Sequence, residues 1–186
     1  MDAQRWFYRT EQEWLSIAER LKQTACPHCK VVGTLIRHGT LHGFDETSPR
    51  RKTLRARRIF CSNRNRRPGC GRTFSVWLAD KIRRLSLTTR GLWHFLQRAV
   101  AGSLAAAIRA VASHLSDRTL QRIWQRFNLG QSTIRTALSR RCLPPQQPAH
   151  LSRRPAAPVL AHLLAAFPNA DCPIAAFQQT TRTFFL

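Results

Sequence analysis

The chain has 186 residues, with 31 lysines and arginines against 9 acidic residues and a formal charge of +22 at pH 7. That length supports one ordinary core or two small domains. That charge asks for an acidic partner, and nucleic acid fits better than a membrane surface, because the basic residues are spread along the chain and not gathered on one apolar-faced helix.

No stretch approaches the roughly eighteen consecutive apolar residues of a membrane span. The opening Met-Asp-Ala-Gln-Arg-Trp carries no apolar signal region, which points to the cytoplasm, in association with the nucleoid. In that compartment paired cysteines read as metal ligands before disulfides.

In chain order, Thr10 and Glu13 fit a capping box. Trp14, Leu15, Ala18 and Leu21 then recur at helical spacing, so residues 10–24 are expected to form a packing helix. Trp6, Phe7 and Tyr8 precede it and staple it to the cysteine-bearing region. Residues 31–38 and 53–60 are rich in β-branched and apolar residues and read as two strands. The acidic, Ser- and Pro-containing stretch between them is a loop, so the pair forms a hairpin.

From residue 88 onward the periodicity is helical. Residues 88–101 place Leu92, Phe95, Leu96, Ala99 and Val100 on one face. Ser103 caps a second helix to residue 114, and Leu115-Ser116 make a short turn. Residues 117–128 align Leu120, Ile123, Trp124 and Phe127, and Asn128-Leu129-Gly130 end that helix. Residues 131–141 make a fourth. Five prolines between 144 and 158 mark a linker, residues 159–167 a last short helix, and residues 168–186 show no clear structure. Trp77, Trp93 and Trp124 fall on apolar faces and are expected in the core.

The strongest motif is Cys26-Pro-His-Cys29, followed after a long insert by Cys61 and Cys70. Two cysteine pairs about thirty residues apart suit one tetrahedral structural zinc ion with no open position for substrate. A hairpin between the pairs returns Cys61 to Cys29. His28, inside the first knuckle, is expected to point outward, His38 and His42 are reserve ligands should Cys61 or Cys70 fail, and Cys142 and Cys172 are expected to be free thiols.

Around the second pair, the stretch between Ser48 and Ala79 has no acidic residue and carries Arg50, Arg51, Lys52, Arg55, Arg57, Arg58, Arg64, Arg66, Arg67 and Arg72. Arginine suits bidentate phosphate contact. The two helices at 103–114 and 117–128 fit a helix-turn-helix. Residues 117–128 would be the recognition helix, presenting Arg118, Thr119, Gln121, Arg122, Gln125 and Arg126 to base edges. Asp117 suits the start of that helix as a capping charge.

The Cys26-Pro-His-Cys29 knuckle, the Arg-Ile-Phe-Cys run at 58–61, the Cys-Gly-Arg-Thr-Phe run at 70–74 and the helix ending at 115–124 together resemble the N-terminal DNA-binding part of bacterial insertion-sequence transposases. The resemblance covers roughly residues 24–141. It implies a zinc ribbon followed by a helix-turn-helix that binds the ends of a mobile element. The catalytic part of such enzymes uses three carboxylates and two metal ions. Here only Asp117 and Asp171 lie beyond the ribbon and its first following helix, so no such domain is expected.

The resulting expectation is an α+β chain. A packing helix occupies 1–24, a zinc-ribbon β-hairpin domain 25–80, a helix-turn-helix bundle 81–143, and a Pro-rich linker and tail 144–186. Its function would be non-catalytic binding of duplex DNA in transposition or transcription. The alternatives are RNA binding, which zinc ribbons and arginine-rich loops also serve, and a role as interaction subunit of a separate catalytic transposase.

Overall fold

The computed structural model describes residues 6–111, 113–146 and 155–186. The described residues form an α+β structure with one four-stranded mixed sheet and six α-helices. Among the described residues no helix is long and apolar enough to cross a membrane.

The sheet runs in the order β1-β4-β3-β2, where β1 is Trp6–Tyr8, β2 Leu35–Phe44, β3 Lys52–Cys61 and β4 Thr73–Leu78. The expected hairpin is present as β2 and β3. Its first strand starts later than the sequence suggests. Val31 lies outside it because its carbonyl accepts from the Cys26 N–H at 3.0 Å, and Gly33 then turns the chain at a φ of 82°. Trp6, Phe7 and Tyr8 do more than staple a helix: they add a strand parallel to β4.

The helix α1 (Glu11–Glu19) comes next, extended by a 3₁₀ turn at Arg20–Gln23. The Thr10 hydroxyl caps it by accepting from the Glu13 N–H. The Glu13 carboxylate reaches one residue beyond a standard capping box, to the Arg9 N–H at 2.7 Å. Trp14 and Leu21 bury one face of this segment against Leu35, Ile59 and Val76 of the sheet.

The hairpin carries a bulge that decides a side chain's fate. Leu41 pairs with Ala56 and His42 with Leu54, which leaves Arg55 as the extra residue of β3. An extra residue breaks the alternation of faces. Arg55 is thereby turned out of the sheet's regular pattern and into the helical half of the molecule.

That half contains α2 (Thr89–Ala101), α3 (Leu104–Arg109), α4 (Asp117–Ser139), α5 (Ala157–Ala166) and α6 (Pro173–Thr181). Thr88, Ser103 and Ser116 cap the first three through their hydroxyls. The helices expected at 117–128 and 131–141 are one continuous helix. Its buried stripe runs without a break through Leu120, Ile123, Phe127, Gln131, Ile134 and Leu138. Burial along that stripe outweighs the roughly 1 kcal/mol that a mid-helix glycine costs. The second expected helix is shorter than its pattern, ending at Arg109 and not at residue 114, well before the Ser116 cap of the next helix.

The C-terminal segment, for which the sequence shows no clear structure, supplies part of the core. Ile174, Phe177 and Phe185 are buried among Leu92, Phe95, Ile123 and Phe127. Phe185 stacks on Phe127 at 6.0 Å and meets Phe177 edge-on. Of the expected linker, residues 147–154 lie outside the described residues, while Ala156 and Ala157 are already buried. Trp93 is buried, and Trp77 and Trp124 are half-buried, Trp77 meeting Phe184 edge-to-face and Trp124 lying tilted against Phe127.

Several polar contacts join the halves. The buried Gln178 amide donates to the carbonyls of Ala79 and Lys81 at 2.9 and 3.1 Å. The Arg55 guanidinium donates to the carbonyls of Phe44, Ile82 and Leu85. At the hairpin tip, the Glu46 carbonyl lies 3.1 Å from His114 Nδ1, and the Glu46 carboxylate accepts from the Thr88 N–H at the start of α2.

Candidate metal centre and the basic surface around it

The first knuckle is a turn closed by two backbone bonds, from the Cys26 N–H to Val31 and from the Lys30 N–H to Cys26 at 2.9 Å. Lys30 adopts a left-handed φ of 64° to complete it. The second knuckle begins where β3 ends. The Cys61 N–H donates to the Arg72 carbonyl and the Gly71 N–H to the Cys61 carbonyl, at 2.9 and 3.0 Å. Two glycines make this closure possible. Gly71 has a φ of 70°, and Gly69 sits so close to the Ser62 carbonyl that a Cβ would collide with it.

The hairpin brings the two knuckles together as the cysteine spacing predicts. Cys26 Sγ lies 3.9 Å from Cys70 Sγ, and Cys29 Sγ lies 3.7 Å from Cys61 Sγ. All four sulfurs fall within 4.8 Å of one another. A tetrahedron with metal–sulfur bonds of about 2.3 Å has edges of about 3.8 Å. The four thiols can therefore hold a metal ion with little rearrangement.

The electrostatics of the cluster also favour a cation. Cys26 and Cys61 are fully buried. Burial pushes the Cys26 thiol up to about 12, against the pull of the Cys29 and His28 amides. At Cys61 burial acts in the same direction but is outweighed. The Thr34 hydroxyl at 3.1 Å, the Cys70 N–H at 3.3 Å and the neighbouring thiols bring it down to about 7. Four thiolates this close ionise together only when a metal supplies the countercharge. All six cysteines are free of disulfides, and Cys142 and Cys172 lie apart from the cluster. His28 and His38 rest against the rings of Phe74 and Phe60 and lie outside it.

The expected nucleic-acid residues divide sharply by position. Arg50, Arg51, Lys52, Arg58, Arg64, Arg66, Arg67 and Arg72 are exposed. Arg55 is a correction: it is buried, and its guanidinium is committed to backbone carbonyls. Arg57 is half-committed. It pairs with Glu11 at 2.6 Å and lies over the Trp14 ring at 5.1 Å. On α4, Arg118, Gln121, Arg122, Gln125 and Arg126 are exposed, while Thr119 is half-buried with its hydroxyl 3.0 Å from the Ser116 cap. The ion pairs among the described residues join Arg9 to Glu13, Arg57 to Glu11 and Lys81 to Asp80, and none engages the exposed arginines of the second knuckle.

Two contributors were missed from sequence. Thr34 reaches the Cys61 thiol, and its carbonyl accepts from the Ser62 N–H at 2.8 Å. Pairing the hairpin so that Cys61 faces Leu35 would have exposed it. Glu46 and His114 join the hairpin tip to the start of α4, and no local signal marks such a long-range pair.

A scan against protein-family models and searches of the curated proteins and of the solved structures found no match. Function has to be argued from the site and its surface.

Proposed function

We propose that this protein is a non-catalytic, zinc-dependent DNA-binding protein. Its ribbon and helical unit together grip duplex DNA in a transposition or transcription setting, as the resemblance to transposase N-terminal regions implies. The observation that carries the reading is the juxtaposition of a four-thiol centre with exposed arginines that no carboxylate among the described residues neutralises. Zinc is the metal favoured by four tetrahedral sulfurs at these edge lengths. With all four positions filled by protein its role is structural. It fixes the loop from Ser62 to Gly69, and that loop displays Arg64, Arg66 and Arg67.

The second element is α4. Arg118, Arg122 and Arg126 recur every four residues on its exposed side, with Gln121 and Gln125 beside them. That stripe matches a helix set in a major groove, where arginine reads guanine and glutamine reads adenine. The long connection before α4 makes this a loose variant of a helix-turn-helix.

The test is a titration of zinc-loaded protein against labelled duplex from the flanks of its own gene, with scrambled duplex and structured RNA as competitors. With about six phosphate contacts, log K falls against log salt with a slope of roughly −5. Flank binding that resists salt better than scrambled binding supports base reading by α4. Equal binding removes that part and leaves a non-specific arginine surface. Preference for the RNA competitor overturns the DNA reading.

A further inference from the structure

We propose that the protein engages one duplex at two separate points about one helical turn apart. The near point combines the hairpin tip with the start of α4. The far point is the turn of the second metal knuckle. The inference rests on the DNA-binding reading and adds the size and shape of the target.

The near point is assembled from segments distant in sequence. The tip is closed by the Asp45 N–H donating to the Arg51 carbonyl at 2.8 Å, with Asp45 accepting from Thr47. The tip then docks on the helical unit. The Glu46 carbonyl faces His114 Nδ1, His114 Nε2 lies 3.3 Å from the Ser86 hydroxyl, and the Glu46 carboxylate caps the Thr88 N–H. His114 stands three residues before Asp117, the first residue of α4. The tip that carries Arg50, Arg51 and Lys52 is therefore docked on the segment that leads into α4 and Arg118, and all four basic residues are exposed.

The far point is a built turn. The Arg67 N–H donates to the Arg64 carbonyl at 3.1 Å. Between them Asn65 and Arg66 both take left-handed conformations, with φ of 52° and 59°. Two consecutive positive φ angles define a tight turn normally given to Asn-Gly, and an arginine in the second place is unfavourable for the fold. Such an outlier points to a role for the side chain displayed there. Arg64 is fixed as well, with its guanidinium 5.6 Å from the centre of the Phe60 ring.

The two points lie at opposite ends of β3. Its ten residues, at about 3.3 Å each, separate them by about 30 Å. The helical repeat of B-DNA is about 34–36 Å. They also share a side of the sheet. Ala56, Arg58 and Phe60 alternate onto one face, because β3 pairs regularly with β4 there. Trp77, the partner of Ala56, meets Phe184 of the C-terminal segment on that face. Arg64 on Phe60, exposed Arg58 and the helical unit thus belong to one side, and a duplex laid along the hairpin meets both basic points.

The experiment compares the salt dependence of binding to 8-bp and 20-bp duplexes of random sequence. At about 3.4 Å per base pair the shorter one spans less than the gap and the longer spans about twice it. Three proteins are used: the unaltered chain, an R64A/R66A/R67A variant and an R50A/R51A/K52A variant. All substituted residues are exposed, and metal content and circular dichroism verify the fold of each variant. The unaltered chain is expected to show a steeper slope on the long duplex, by about 2.7 for three further phosphate contacts. Either variant loses that difference, keeping about the slope the unaltered chain shows on the short duplex. A length difference that persists in both folded variants reflects duplex ends alone and overturns the proposal, as do equal slopes in the unaltered chain. In both cases DNA binding itself stands. No duplex binding at either length at low salt would remove the underlying reading, and the two-point inference with it.

Discussion

The two halves of this chain are held together by different means. The sheet half buries a small cluster made of Tyr8, Trp14, Leu21, Leu35, Ile59 and Val76 around the sulfurs of Cys26 and Cys61. The helical half buries a much larger one, in which aromatic rings from α4 and the C-terminal segment are in mutual contact and Trp93 and Phe95 of α2 are also buried. A small hairpin core cannot by itself offset the entropy of ordering its loops, and a metal can supply the difference. The helical half needs no such clip, but it needs its C-terminal residues.

If the four thiols hold the proposed zinc, removing it should separate the halves most. Structural zinc contributes about 10–16 kcal/mol at neutral pH in small domains. Chelation, or Cys26→Ser, is expected to unfold the sheet half while the helical circular dichroism at 222 nm largely survives. A full-strength β signal and protected thiols after complete demetallation would show that the sheet core stands alone.

The reciprocal experiment is Phe127→Ala. This ring is fully buried and stacks on Phe185. Its loss should cost about 3–5 kcal/mol and lower the melting temperature of the helical half. Zinc affinity, measured by competition with a chromogenic chelator, should stay unchanged. A parallel loss of zinc affinity would mean that the two halves fold as one cooperative unit.

Arg55→Met tests the joint between them. The buried guanidinium bonds to three carbonyls contributed by both halves. Hydrogen bonds to a charged group contribute about 1.5–3 kcal/mol net. The substitution should destabilise by an amount in that range and split thermal unfolding into two resolved steps. If DNA affinity fell while stability stayed the same, Arg55 would belong to the binding surface after all.

The smallest expected effect is a gain. A Cβ at Gly130 would meet nothing nearer than Ile134 Cδ1 at 4.0 Å, and the residue has no positive φ. Gly130→Ala should stabilise α4 by about 1 kcal/mol, raising the melting temperature by about 2–4 °C. A destabilised variant would indicate that the helix breaks there, as the local sequence suggests.

The outcomes at Gly130 and Arg55 show where sequence reading stops. Asn128-Leu129-Gly130 has the composition of a helix end, and local preference alone would make it one. The helix continues because Gln131, Ile134 and Leu138 extend the stripe begun by Leu120 and find a buried surface to cover. Arg55 sits in a run of arginines with nothing to distinguish it. A bulge opposite His42 and Leu41 turns it inward, and a bulge is a property of pairing, not of one strand. The C-terminal segment has no caps or periodicity strong enough to announce α6. It is ordered by the core it completes.

By itself the sequence determined the α+β composition, the caps at Thr10 and Ser103, the hairpin and the gathering of four cysteines. Each depends on short-range chemistry: a hydroxyl beside three free N–H groups, a two-residue period, or a thiol pair in a tight turn. Tertiary structure alone decided that α4 is continuous and that Arg55 is internal. It also decided that residues near the C-terminus close the core, and that the hairpin tip rests on His114 beside α4. These outcomes depend on which surfaces meet, and burial of apolar area between distant segments outweighs the weaker local preferences that the sequence displays.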